Sequence, residues 1–279
     1  MRFTADHAFH IGSQHLRGGM PCQDYAMSGY GTYVDYAIIS DGCSSGGLTD
    51  VGARIVAHST ATALKCEPEL LSGTFVDFLS RELDMDGRRG LRLEPEDMLA
   101  TCAYVAAISE EANIIARIIG DGVLASIDQS GDMLMVRHEW SGNMPAYRAY
   151  KDEDDYAGFI RAHGGDPEAK RASEHTHARI AGQHFDTVKE LSIAEALPGV
   201  THAIGIERKR AVAVFSDGVT QVDGMDWRDV VAALMSFKST EGAFVKRRML
   251  RFLKDCQAHG KGPVDDIAMA CIHIDHEAA

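Results

Sequence analysis

Between residues 98 and 140 four short apolar runs follow one another with almost nothing between them. LATCAYVAAI, NIIARIIG, VLASID and MLMVRHEW are separated only by Ser-Glu-Glu-Ala, Asp-Gly and Gln-Ser-Gly-Asp, all of which are turn chemistry. Links this short cannot carry the long crossovers that parallel neighbours require. Further strand character appears at residues 3–11, at YVDYAIIS (33–40), at about 201–206 and 211–216, and in the last run DDIAMACIHID. Helical periodicity marks VGARIVAHSTATALK, with Thr49 or Asp50 as its cap, and a stretch from about Glu67, with Pro68 in its first turn, to about Leu83. DWRDVVAALMSF and EGAFVKRRMLRFLKDC are helical as well. Many strands in meander with helices in pairs predict two packed antiparallel sheets with helices outside.

Residues 85–97, MDGRRGLRLEPED, are expected to form a polar loop. Residues 151–175 start acidic, become helix-like and stop at Gly164-Gly165, as an inserted flap would. No repeat or linker divides the chain, so residues 1–279 are expected to form a single domain.

The formal charge is −13. Such a chain is a poor partner for nucleic acid or an anionic membrane, and no apolar run reaches the ~18–20 residues that span a bilayer. The six cysteines are scattered without a C-x-x-C pair, which fits reduced thiols and a cytoplasmic location. The acidic excess has two readings: a solubilising surface, or acids gathered around cations.

Positions favour the second. Asp41-Gly42, Asp121-Gly122 and Asp217-Gly218 each follow directly on an apolar strand run, twice as the tripeptide Ser-Asp-Gly. Three ordinary hairpin turns would look similar. Yet carboxylates at the ends of neighbouring buried strands point into one rim, where like charges need a cation to coexist. Gln23-Asp24 and Asp265-Asp266 add two more acidic strand-end sites. Oxygen donors of this kind suit Mn²⁺ or Mg²⁺.

The ordered set resembles the type 2C (PPM) class of metal-dependent Ser/Thr protein phosphatases, and in particular a bacterial subgroup. The subgroup pattern Gly-x-x-His…Gly-x-Pro-Cys-Gln-Asp stands here as Gly12-Ser13-Gln14-His15 and Gly19-Met20-Pro21-Cys22-Gln23-Asp24. Ser40-Asp41-Gly42, Ala100-Thr101, Gly120-Asp121-Gly122, Ser216-Asp217-Gly218 and Asp265-Asp266-Ile267 follow in the family's order. The resemblance implies an α+β fold, a central antiparallel β-sandwich flanked by helices on both faces in four layers, α-β-β-α. It implies a monomer hydrolysing phosphoserine and phosphothreonine on protein substrates. Two divalent cations would activate a bridging water for in-line attack. By the same resemblance Asp41 bridges the cations, the Gly42 carbonyl serves the second, Asp217 and Asp265 serve the first, and Asp24 orients a metal or its water. Asp121 shares a third, weaker ion with Asp217.

The chain departs from its relatives at three points. Gln23 stands where some have Glu, and Cys43 stands where many eukaryotic members have the His taken as general acid. The phosphate-gripping arginine is displaced, leaving Arg17 and His15 as candidates. Other features carry less. His175 and His177 share a strand face but lack companions at zinc spacing, and Lys246-Arg247-Arg248 reads as a solvated helix face. Two rival functions stay open: an inactive relative that binds phosphoproteins, and a phosphatase of the same fold for a small-molecule ester. Retention of Asp41, Asp217 and Asp265 favours activity.

Overall fold

The computed structural model describes residues 1–66, 73–108, 113–151 and 153–277 and arranges them around two antiparallel sheets. One sheet has seven strands in the order β1 (Arg2–His10), β12 (Ile267–Asp275), β11 (Lys209–Phe215), β6 (Gly122–Asp128), β7 (Met133–Trp140), β8 (Lys170–Ile180) and β9 (Gln183–Ser192). The other has five, β10 (Val200–Gly205), β5 (Asn113–Ile119), β4 (Cys102–Ile108), β3 (Val34–Asp41) and β2 (Asp24–Tyr30). The helices are α1 (Ser13–Gly18), α2 (Thr49–Leu64), α3 (Gly73–Leu91), α4 (Glu153–Ala162), α5 (Ile193–Ala196), α6 (Trp227–Leu234) and α7 (Phe244–Gln257).

Strand alternation explains the layering. In β12, Ala268, Ala270, Ile272 and Ile274 face the other sheet, where they meet Ala37, Ile39 and Val105. Ile267, Met269 and Cys271 face outward and are covered by Val231 and Leu234 of α6 and Phe244 and Met249 of α7. On the opposite side, Tyr36, Ile38, Cys102 and Tyr104 pack beneath Val56 and Ala57 of α2 and Val76 of α3. A strand buried on both faces reads as a continuous apolar run, as β12 does. The expected four-layer α-β-β-α architecture is therefore present.

Three local expectations are corrected. The loop expected at residues 85–97 is helical as far as Leu91, followed by a 3-10 turn at Pro95–Met98. Its polar residues and glycines hid the helix, but a side chain at Gly87 would come within 2.9 Å of Ile55, so the glycine serves the close approach of α3 to α2. The start expected near Glu67 lies outside the described residues. Thr49 and Asp50 do not cap α2 with their side chains. Instead the Leu48 N–H donates to Asp97 Oδ1 at 2.5 Å, and Thr49 is the first helical residue.

The third correction is β8–β9, a long hairpin that begins inside the segment expected to be a flap. Nearly all of β9 is exposed, so burial leaves no apolar alternation to read. Its turn, Ala181 at φ 50° and Gly182 at φ 79°, is the tight kind that two left-handed residues make. The helix-like stretch is α4, ended by Gly164 and Gly165 at φ 99° and 86°. Its Phe159 and Ile160 pack with Trp140, Ala172 and Leu191 in a separate small core.

Two buried ion pairs tie helices to the frame. Arg148, 2% exposed, donates through Nε to Asp84 Oδ2 of α3 at 2.7 Å and through Nη2 to the Val56 carbonyl at 3.1 Å. Arg117 of β5 holds Asp77 of α3 at 3.1 Å. Removing one partner strands a buried charge, so Asp84→Ala is expected to cost about 3–5 kcal/mol, readable as a lowered denaturant midpoint. An unchanged midpoint would show that Arg148 finds other partners.

Candidate metal centre

The acidic strand ends converge. Asp24 opens β2 and Asp41 closes β3, and the two are direct cross-strand partners. Asp41 is held by the Thr101 N–H, which donates to its carbonyl at 2.8 Å. Gly42 bridges to Ala100. A Cβ on Gly42 would lie 2.6 Å from the Thr49 carbonyl oxygen, so only glycine lets α2 begin this close to the strand end. Asp217 follows β11, and a Cβ on Gly218 would lie 1.8 Å from the Asp266 carbonyl oxygen. That contact brings the end of β11 against the start of β12 and sets Asp217 beside Asp265.

Asp121 closes no hairpin. It links β5 of one sheet to β6 of the other, with Gly120 at φ 100° and Gly122 at φ 135° on either side. None of the three Asp-Gly pairs is a hairpin turn: the chain leaves β3 towards α2, and leaves β11 into a 3-10 turn.

Asp41, Asp121, Asp217 and Asp265 line one cleft of about 220 Å³ together with Gly42, Cys43, Thr101, Asn143 and Tyr147. A second hollow of about 230 Å³ shares Asp121, Asn143 and Asp217 and adds Arg137, Thr220 and Gln221. Asp24 is buried behind Asp41 and accepts from Ser216 Oγ at 2.6 Å, whose oxygen in turn accepts from the Ala268 N–H at 2.8 Å. Gln221 Nε2 donates to both Asp217 Oδ2 at 3.2 Å and Asp265 Oδ2 at 3.1 Å, holding the two carboxylates as a pair.

Asp266, the neighbour of Asp265, works differently. Buried at 2% exposure, it accepts from the Gly12 N–H at 2.7 Å and the Gln23 N–H at 2.6 Å. His15 Nδ1 lies 2.9 Å from the same carboxylate. It aligns the N-terminal segment rather than facing the cleft.

The carboxylates are electrostatically strained. Burial holds the Asp24 carboxyl well above the ordinary range, with the charges of Asp217 and Asp266 adding to the effect. Burial and the charges of Asp24, Asp217 and Asp121 do the same to Asp41. Burial, then Asp217, pushes Asp121 up to about 8, and burial, then Asp265, raises Asp217. Asp41 lies beside both Asp24 and Asp217, a closeness that carboxyls bear only with a proton or a cation between them. Such a site gains on receiving divalent cations, and its donors are all hard oxygens. The residues present fit Mn²⁺ or Mg²⁺. Gln23 adds a buried Oε1 with no hydrogen-bond partner among the described residues, while its Nε2 donates to Thr49 Oγ1 at 2.8 Å.

The phosphate candidates are not brought together. His15 is occupied by Asp266 and lies 3.3 Å from Ser44 Oγ through Nε2. Arg17 is exposed on α1 and is not among the residues lining the cleft. Arg137, which sequence reasoning missed, lines the second hollow, and its charge lowers both Asp121 and Asp217 against the larger effects of burial. It lies in mid-strand on β7, without a motif to mark it. Cys43 lines the cleft with Sγ 3.2 Å from Ser45 Oγ. Burial opposes its ionisation, but hydrogen bonds from Ser45, Tyr147 and the backbone at Ser45 and Gly46 hold the thiol below its usual value. His175 and His177 do not pair as ligands: His177 Nδ1 is engaged with Asp186 at 2.9 Å, and His175 Nε2 with Ser173 at 3.0 Å. All six thiols are free. No helix among the described residues is long and apolar enough to cross a membrane.

Comparison with known proteins bears on the fold and on the first part of the sequence. Residues 11–145 match the family described as Protein phosphatase 2C. No curated protein sequence matches the chain. Among solved structures, the serine/threonine phosphatase Stp1 from Staphylococcus aureus superposes with a TM-score of 0.58 at 12% identity, over 99% of this chain and 96% of that one. The PP2C phosphatase domain of SpoIIE from Bacillus subtilis gives 0.57 at 11% identity, over 99% of this chain and 65% of that one. The S. agalactiae serine/threonine phosphatase gives 0.53 at 16% identity, over 98% and 100%. At these identities the structural likeness speaks for the fold alone. Residues 11–145 thus match the protein phosphatase 2C model, and the chain over its whole length has the fold of these solved phosphatases.

Proposed function

We propose that this chain is a metal-dependent phosphatase that hydrolyses phosphoserine and phosphothreonine on proteins, as one domain over residues 1–279, in the Gly-x-Pro-Cys-Gln-Asp subgroup. The observation that carries the proposal is the gathering of Asp41, Asp121, Asp217 and Asp265 from both sheets at one cleft, with Asp24 buried behind Asp41 and with burial and mutual repulsion raising Asp24, Asp41, Asp121 and Asp217. Asp41, Asp217, Asp265 and the Gly42 carbonyl would hold two cations, with Asp24 behind them and Asp121 towards a third. Bound Mn²⁺ or Mg²⁺ supplies Lewis acidity, acidifying water and neutralising charge on the phosphoryl oxygens.

The chain's own residues supply order. Gln221 keeps Asp217 and Asp265 parallel, Ser216 fixes Asp24, and Asp266 seats the loop that carries Gln23. The hollow beyond Asp121, with Arg137 in it, offers a positive group for a phosphate or an acidic stretch of substrate.

Mn²⁺ or Mg²⁺ is expected to support hydrolysis of a phosphothreonine peptide, and EDTA to abolish it reversibly. Full activity in chelator, with no metal in the purified protein, would sink this reading. A kcat/KM higher for an aryl phosphate than for the peptide would move the assignment to small-molecule esters. No hydrolysis of either substrate, with the cations bound, would favour an inactive phosphoprotein-binding relative.

A further inference from the structure

We propose a second cation site of different chemistry, between the two sheets, where His138, Glu174 and His202 hold one Zn²⁺. His138 lies on β7 and Glu174 on β8, and the two are direct cross-strand partners. His202 comes from β10, the edge strand of the other sheet. Alternation puts His138 two residues beyond Val136 and His202 two before Ile204, and both of those residues pack into the core between the sheets. The three side chains therefore meet across the sandwich.

Their ligand atoms form a compact triangle. His138 Nε2 and His202 Nε2 are 3.0 Å apart. Glu174 Oε2 is 3.7 Å from the first and 3.8 Å from the second. A tetrahedral zinc with ligands at about 2.0–2.1 Å separates them from one another by about 3.3 Å, so the observed edges bracket that value. Shifts of a few tenths of an ångström would complete the site.

The donor set selects the metal. Two imidazoles and one carboxylate suit zinc, whereas Mn²⁺ and Mg²⁺ favour the all-oxygen cluster. Burial, with the nearby charge of Lys189, keeps both rings neutral, His138 being lowered to about 3, so each can offer a lone pair. The partly exposed Glu174 and His202 side chains leave water access for a fourth ligand. An ion there would bolt β7 and β8 of one sheet to β10 of the other.

The test uses the full chain, stripped with chelator and then saturated with Mn²⁺ so that the aspartate cluster is occupied. Titration with Zn²⁺ alone, followed by calorimetry, is expected to show one further equivalent in the wild type and in Asp41→Asn. His202→Ala should weaken that uptake by about 100-fold or more, above the range that even outer-shell partners command. Co²⁺ should give tetrahedral visible bands that vanish in the same variant, and Zn²⁺ should raise the Tm of the wild type but not of the variant. If His202→Ala does not fold, Glu174→Gln replaces it in the same comparison. Zinc uptake unchanged by the substitution, lost in Asp41→Asn, or absent once Mn²⁺ is bound would each overturn the proposal.

Discussion

Asp217→Ala is expected to lose turnover by about 10⁴-fold or more, together with tight binding of Mn²⁺. The figure follows from removing two effects worth several kcal/mol each, cation retention and phosphoryl positioning, at 1.36 kcal/mol per decade of rate. Asp217 borders both the cleft and the adjoining hollow, lies beside Asp41 and is paired to Asp265 through Gln221. No neighbour can take over all three contacts. Asp121→Ala is the informative contrast. Its carboxylate sits at the crossing between sheets, on the side of the hollow that carries Arg137, so the pair of ions should remain seated while turnover falls by about 10²-fold. Calorimetric counting of Mn²⁺ beside kcat separates the two. Equal and complete loss of metal in both variants would place Asp121 in the central pair, and normal kinetics in Asp121→Ala would reduce it to a structural link.

The second large effect is on stability and runs against the usual direction for acids. A carboxyl whose folded pKa lies above its unfolded value favours the folded state only while protonated. Asp121 is unfolded-like near 3.9 and folded near 8. Its contribution is therefore intact below about pH 4 and is lost as pH rises towards 8, with Asp24, Asp41 and Asp217 shifted the same way. Chelated protein should thus lose a few kcal/mol of stability between about pH 5 and 8, and saturating Mn²⁺ should restore it. Asp41→Asn removes one of the repelling charges, so the chelated variant should melt higher than the chelated wild type at pH 8, yet respond less to Mn²⁺. Urea midpoints across that pH range would show it. A chelated wild type equally stable at pH 5 and 8 would mean that the cluster relaxes without cations.

Asp41 and Asp217 were legible in the sequence because each is marked twice, by the apolar run before it and the glycine after it, and Asp265 because a second acid and an apolar run follow it. The sandwich was legible for a related reason: strands buried on both faces, such as β12, leave unbroken apolar runs. What escaped lacks such marks. The β8–β9 hairpin is exposed along β9, so no alternation of burial writes itself into its residues. Residues 85–91 looked like a loop because Gly87 and Gly90 weaken helix propensity, whereas the contact of Gly87 with Ile55 is a tertiary fact. Gln221 and Arg137 act through side chains reaching from a turn and a mid-strand position, and only folding reveals their targets. His138 and His202 stand 64 positions apart, a separation no local pattern can announce, while the closely spaced His175 and His177 drew notice and point elsewhere.

The grip of Asp266 on Gly12, Gln23 and His15 has a consequence for how the protein is made. Its bond to Gly12 spans 254 positions, and β12, which follows it, lies between β1 and β11 in the sheet. Contacts of such long range are reached late and slowly, because the loop they close must be ordered first. During synthesis the carboxylates at residues 24, 41, 121 and 217 will all have emerged before Asp265 and Asp266 can join them. The acidic cleft is therefore completed only when β12 takes its place between β1 and β11. A nascent chain lacking β12 and the two acids before it has the other four carboxylates but no assembled cleft.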